Sequence, residues 1–142
     1  MAHCDLERFV IAQEPVMGAV LGELRAGRKR THWMWFVFPQ VAGLGLSEMS
    51  RRYAIASREE AAAYLAHPVL GPRLAECTEL VNAANEPLEH VLGGVDAMKF
   101  HSSMTLFAAV AGPDSLFART LARHFAGRPD QPTLDRLGGV PG

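Results

Sequence analysis

Glycine and proline punctuate this chain at intervals that suit helices. Pro15, Gly27, Pro39, Pro68, Pro87, Gly93-Gly94, Gly112-Pro113 and Gly127 separate stretches in which apolar residues recur at helical spacing. The first stretch carries Leu6, Phe9, Val10, Val16, Met17, Val20, Leu21 and Leu24. Asp5 is a suitable N-cap for it, and the helix is expected to run to about Ala26. Pro15 should kink or split it near Glu14, and Gly27 should stop it. Ser47 to Ala54 predicts a short helix. Ser57-Arg58-Glu59-Glu60 has the capping-box pattern, with Glu60 placed to reach back to the Ser57 amide, and it opens an Ala-rich helix to about Ala66. Val69, Leu70, Leu74, Cys77, Leu80 and Val81 mark the next helix, ending near Asn82–Asn85. Pro87 to Leu92 makes a helical turn. Asp96 should cap a strongly apolar helix through Val110, and Asp114 one through Phe125, with a last turn at Thr133 to Leu137.

The pattern predicts an all-α fold, a compact single-domain bundle of about six to eight short helices. A length of 142 residues, 49% of them hydrophobic, supplies one domain with a real core. The single helical domain spans residues 1–142, with an ordered core over about 5–138. No linker, repeat or low-complexity segment interrupts it.

Both tryptophans fall in one decapeptide, Thr31-His32-Trp33-Met34-Trp35-Phe36-Val37-Phe38-Pro39-Gln40. Each large aromatic buries roughly 150–250 Å², so the stretch must enter the core or line a site. Alternation of Trp33, Trp35 and Val37 would suit a strand, but nothing else in the chain offers a strand partner. A short helix or irregular buried segment is expected. On a helix the two tryptophans lie about 200° apart, so one should be buried and one nearer solvent or a pocket.

Formal charge balances to −1, so no global field draws the chain to nucleic acid or membrane. Residues 25–52 nevertheless hold Arg25, Arg28, Lys29, Arg30, Arg51 and Arg52 against Glu48 alone. The two cysteines, Cys4 and Cys77, make no disulfide framework and point to a reduced, cytoplasmic setting. No signal peptide is expected, and no apolar run approaches the roughly 18 residues of a spanning helix.

Six histidines and two cysteines invite a metal, yet no H-x-x-x-H, C-x-x-C or H-E-x-x-H spacing occurs, so neither metal nor cofactor is expected. Gly43-Leu44-Gly45 lacks the third glycine and preceding strand of a dinucleotide loop and reads as a turn. In Lys99-Phe100-His101-Ser102-Ser103, Lys99 shares a helix face with Ser102 and Ser103. A lysine beside hydroxyls can activate a nucleophile or hold an anion. The plainer reading is close helix packing over small hydroxyls, with Lys99 snorkelling outward. His32 beside the tryptophans suits acid–base work or base stacking, against the plainer reading of an aromatic core cluster.

Several segments together resemble a known family. They are Asp5-Leu6-Glu7-Arg8-Phe9, Leu24 to Arg30 running into His32–Gln40, Gly43-Leu44-Gly45, Arg52-Tyr53-Ala54-Ile55, Leu70-Gly71-Pro72-Arg73-Leu74, and Lys99 with Ser102-Ser103-Met104-Thr105-Leu106-Phe107. The chain is similar over nearly its whole length to a bacterial family of unknown function whose members are often labelled "calpastatin". The resemblance implies a small all-helical domain and brings no activity with it. The label does not fit the physical chemistry: calpastatin is a disordered protease inhibitor, and disorder requires low hydrophobicity and high charge.

Two function classes follow. In the first, a small-molecule domain, with or without catalysis, binds an anionic or nucleotide-like ligand in a pocket lined by His32, Trp35, Gln40, Lys99, Ser102 and Ser103. In the second, the basic 25–52 face is a protein or nucleic-acid interaction surface. A concave site where His32, Trp35, Gln40 and Lys99 converge would favour the first. An exposed display of Arg28, Lys29, Arg30, Arg51 and Arg52 would favour the second.

Overall fold

Pro15 divides the first helical stretch in the computed structural model, which describes residues 5–138. Helix α1 (Glu7–Gln13) and α2 (Met17–Arg25) lie on either side of it, and α2 ends at Gly27, whose φ of +72° only glycine adopts freely. The aromatic stretch forms one turn, α3 (Met34–Val37). There follow α4 (Glu48–Arg52), α5 (Arg58–Ala66), α6 (Leu70–Ala83), α7 (Leu88–Leu92), α8 (Gly94–Ala111), α9 (Leu116–Phe125) and α10 (Gln131–Arg136). The fold is all-α, as the sequence predicts. Its extended backbone pairing among the described residues is a single parallel bridge, Val41 to Ile55. Cys4 and the flanking residues 1–4 and 139–142 lie outside the described residues.

Local capping follows the sequence with three substitutions. Ser57 accepts a hydrogen bond from the amide of Glu60, as its pattern predicts, and Ser47 likewise accepts from that of Ser50. The Glu60 carboxylate, however, takes the Ala56 amide at 2.7 Å instead of that of Ser57, and its other oxygen pairs with Arg8 at 3.2 Å. Gly93 stands at the N-cap of α8, which places Asp96 inside the first turn and frees its carboxylate. Ser115, one residue beyond Asp114, caps α9 through the Ala118 amide. Asp5 does not cap α1, whose N-cap is Leu6.

Helix α8 is the axis of the bundle, packed by α3, α5, α7, α9 and α10. Its Phe100, Met104, Leu106 and Phe107 are fully buried. Aromatic contacts run through the core: Phe38 meets Phe100 edge-on at 4.9 Å, Phe9 meets Tyr64 edge-on at 5.1 Å, and Tyr64 meets Phe107 at a tilt at 5.3 Å. Such pairs add roughly 0.5–1.5 kcal/mol each beyond area burial. The fully buried Gln13 amide donates to Phe36 O at 2.7 Å and to the Tyr64 hydroxyl at 3.1 Å, which pins α3 to α1 and α5. Cys77 belongs to this core: burial first, then the charge of Glu76, pushes its thiol up to about 12, so it is no nucleophile.

Candidate functional site

One face of α8 carries Val95, Met98, Lys99 and Ser102, an i, i+3, i+4, i+7 set. These residues line a cleft of about 350 Å³ together with Gln40, Leu44, Gly45 and Ser50 from the segment after α3, and with His101, Asp130 and Pro132. The volume lies at the small end of the range for small-molecule sites. Val95 and Met98 remain 70% and 73% exposed, so the cleft has an apolar rim around its polar groups.

Lys99 is held between an aromatic face and a carboxylate. Its Nζ stands 5.2 Å from the Trp35 ring centroid and 3.7 Å from Asp96 Oδ1. The other oxygen of Asp96 lies 2.8 Å from Lys29 Nζ, and that ammonium stands 5.1 Å from the Trp33 ring. Two lysine–tryptophan pairs therefore share one carboxylate, unequally. The Lys29 contact has the length of a charge-assisted hydrogen bond, and the Lys99 contact does not. Lys29 is also the more enclosed, its side chain 7% exposed against 24% for Lys99. Lys99 lines the cleft.

The aromatic stretch is fixed from behind. Trp33 is buried and donates its indole N–H to Glu23 Oε1 at 3.0 Å, while Trp35 is half-buried. Glu23 also accepts from the amides of Arg30 and Thr31 and from the Thr31 hydroxyl. Partial burial of Glu23 opposes its charge, but these hydrogen bonds outweigh that and bring its pKa down to about 2. The two tryptophans separate as the helical reading predicts.

The third wall is a strap. Three residues of α8 grip the segment before α10: His101 Nε2 lies 2.8 Å from Arg128 O, Ser102 Oγ donates to Asp130 Oδ2 at 3.0 Å, and Thr105 Oγ1 accepts from the Asp130 amide at 2.9 Å. Thr133 also donates to Asp130 Oδ2, at 2.6 Å. At the far end of α10, the Arg136 guanidinium covers Gly43, where φ is +97° and a Cβ would lie 2.8 Å from it. The strap thereby closes on the turn at Gly43-Leu44-Gly45. The serine, histidine and aspartate here do not form a catalytic relay. The Ser102 proton faces Asp130, and the ring nitrogen of His101 that could reach a partner is spent on a backbone carbonyl.

The residues singled out from sequence distribute unevenly. Gln40, Lys99 and Ser102 line the cleft, and Trp35 contacts Lys99 from beside it. His32 is exposed and is not among the lining residues. It precedes the turn of α3, where the chain is still at the surface. Ser103 is fully buried, one helical position around from Ser102, and its Oγ finds no partner among the described residues. The expectation that both serines face one pocket therefore needs correction: adjacent helix residues point about 100° apart. Asp96 and Asp130 were missed. Asp130 has a legible local signal as the N-cap of a helix with Pro132 in its first turn, but no local signal brings it to Ser102. No group of three or more metal-ligating side chains assembles among the described residues. No helix among them is long and apolar enough to cross a membrane.

Comparison with known proteins agrees with the fold and is silent on chemistry. A crystal structure of the conserved hypothetical protein Rv1873 from Mycobacterium tuberculosis is 52% identical, covers 94% of this chain and 96% of its own, and superposes with a TM-score of 0.91. No protein with a curated description matches. Residues 3–137 match the model of a family described as "Protein of unknown function (DUF1810)". With that match over nearly its whole length, the chain belongs to the DUF1810 family.

Proposed function

We propose that the protein binds a small polar molecule in the cleft between the 40–50 segment and α8, and that Lys99 receives an anionic group of that ligand. The observation that carries this reading is the unequal division of Asp96. Lys29 takes the short contact at 2.8 Å, and Lys99, at 3.7 Å, is oriented by the carboxylate and by Trp35 without being consumed by either. An ammonium held in this way is pre-organised, which lowers the cost of ordering it around a ligand. Gln40, Ser50 and Ser102 add neutral donors and acceptors, and Leu44, Val95 and Met98 supply the apolar contact typical of such sites.

A thermal-shift screen of anionic metabolites tests the reading. A ligand at 100 times its dissociation constant stabilises the fold by about 2.7 kcal/mol. Lys99→Ala should fold and melt nearly as the parent does, yet lose that stabilisation. If no compound raises the melting temperature, or if the variant responds as the parent does, the reading fails.

The basic-face alternative is weakened by the same geometry. Lys29, central to the basic run, is withdrawn into the pair with Asp96, and Arg25 lies 3.7 Å from Glu76. Arg28, Arg30, Arg51 and Arg52 remain exposed, so what this reading loses is Lys29.

A further inference from the structure

Among the described residues that line the cleft, Lys99 is the one lysine and there is no arginine. A carboxylate, Asp130, lines it too. A second carboxylate, Asp96, stands behind the wall, 3.7 Å from the Lys99 ammonium. Lys29 is 2.8 Å from that same Asp96, only 7% exposed, and not a lining residue. Counting the pair behind the wall, positive and negative charges around Lys99 are equal. The cost of moving an ion out of water rises with the square of its charge, whereas its attraction to a site rises only in proportion to it. A site without net positive charge therefore takes a singly charged ligand in preference to a doubly charged one. Phosphate sites are built differently: they gather arginine forks, several cations or helix N-terminal amides around the dianion.

We infer that the cleft selects a monoanion, an organic carboxylate, and that Asp96 and Asp130 set it against phosphate dianions. The inference rests on the proposed binding role of this cleft and names the charge class of the ligand. Asp96 acts by competing for Lys99. An incoming anion shares that ammonium with a carboxylate already 3.7 Å away, so each added negative charge on the ligand meets repulsion as well as attraction. Asp130 acts from the wall itself, where the hydroxyls of Ser102 at 3.0 Å and Thr133 at 2.6 Å anchor its Oδ2. Leu44, Val95 and Met98 give apolar contact to the organic part of an acid. A carboxylate is singly charged at neutral pH, whereas a phosphate monoester loses its second proton near pH 6 and is mostly a dianion. Of the anionic and nucleotide-like ligands that the sequence suggests, this balance of charge favours organic acids over nucleotides.

The test titrates the full chain calorimetrically with three probes: benzoate, phenyl sulfate and phenyl phosphate. The two esters share size and shape and differ by one charge at about pH 8. At a single pH the protonation of His101, which also lines the cleft, is common to all three. The parent should bind phenyl sulfate about tenfold more tightly than phenyl phosphate, and benzoate should also exceed phenyl phosphate. Asp130→Asn keeps an oxygen for the hydroxyls of Ser102 and Thr133 and removes the charge from the wall. Asp96→Asn removes the charge beside Lys99. Each should shift the ratio of the two ester affinities towards phosphate by about threefold or more. Comparing that ratio between proteins cancels intrinsic differences between the esters. Asp96→Asn leaves Lys29 without its carboxylate, so Asp130→Asn, shown folded by an unchanged helical CD spectrum, decides the matter if the other variant does not fold. Lys99→Ala should lose all three probes. If the parent binds phenyl phosphate as tightly as phenyl sulfate, or if Asp130→Asn keeps the parent's ratio, the inference is overturned, while Lys99-dependent affinity in the same titrations leaves the binding role standing. If none of the probes binds the parent, the inference is overturned, and the wider screen alone then decides the binding role.

Discussion

Trp33 hangs from Glu23: the indole nitrogen lies 3.0 Å from Glu23 Oε1, across the turn at Gly27. The same carboxylate gathers two amides and the Thr31 hydroxyl, so one side chain of α2 organises the approach to the aromatic turn.

That carboxylate makes the fold sensitive to acid. Burial disfavours its charge, the four donors favour it more strongly, and the pKa falls from 4.5 to about 2. The unfolded chain binds the proton more tightly than the folded one. The stabilisation is therefore complete above about 4.5 and lost as the pH falls towards about 2. Melting temperatures measured across this window should fall for the parent and fall less for Glu23→Gln. An identical acid slope in the two proteins would place the sensitivity elsewhere.

The buried amide of Gln13 should be the costliest polar group to replace at constant volume. Gln13→Leu leaves Phe36 O with the Tyr64 hydroxyl alone, at 3.5 Å. An orphaned buried carbonyl costs about 1–3 kcal/mol. Denaturant titration should show a loss of that size, and a neutral result would mean that the segment relaxes to recover the bond.

These relationships show what was legible beforehand. Helices were legible because caps and breakers act locally: Ser47, Ser57, Pro15 and Gly27 each work within a turn of themselves. Asp96 was read as a cap because its position before an apolar run is ambiguous by one turn. Gly93, with φ of +89°, takes the cap and releases Asp96 to Lys29 and Lys99. Lys29 sat in a basic run that reads as a solvated helix end, and only the fold brings it to Asp96. The Asp130–Ser102 bond spans 28 residues, and neither residue carries a mark of the other.

Two glycines in helices should respond to alanine with opposite signs. A Cβ on Gly71 would stand 2.2 Å from Leu65 O, a backbone atom where α5 and α6 approach, whereas a Cβ on Gly22 would meet nothing within 4 Å. Gly71→Ala should destabilise by about 3 kcal/mol or more. Gly22→Ala should stabilise by roughly 0.5–1 kcal/mol through helix propensity. Changes of the same sign in chemical denaturation would refute this account of the two sites.

Separation of the tryptophans should be visible in fluorescence. Trp33 is 1% exposed and Trp35 half-buried. A chain with Trp35 as its single tryptophan should be quenched by acrylamide several times more efficiently than one with Trp33 alone. Equal protection of both would contradict the structure of this turn.

Finally, Lys29 and Lys99 should divide stability from binding although they share Asp96. Lys29→Ala breaks the shorter, more enclosed pair, and its cost should be about 1–3 kcal/mol, below that of a stranded buried charge because Asp96 is 20% exposed and keeps Lys99 as a partner. Lys99→Ala breaks a long, more exposed contact and should cost no more than about 1 kcal/mol. The effects on the cleft run the other way. Lys99→Ala removes the ammonium that lines it, whereas Lys29 is not among its lining residues. Loss of Lys29 nevertheless leaves Asp96 with Lys99 as its one cation, which should draw the Lys99 ammonium onto the carboxylate and weaken anion binding from a distance. Lys29→Ala should therefore be less stable and bind anions more weakly, and Lys99→Ala should be stable and bind none. A Lys29→Ala protein that binds anions as the parent does would show that Asp96 does not control the free donors of Lys99.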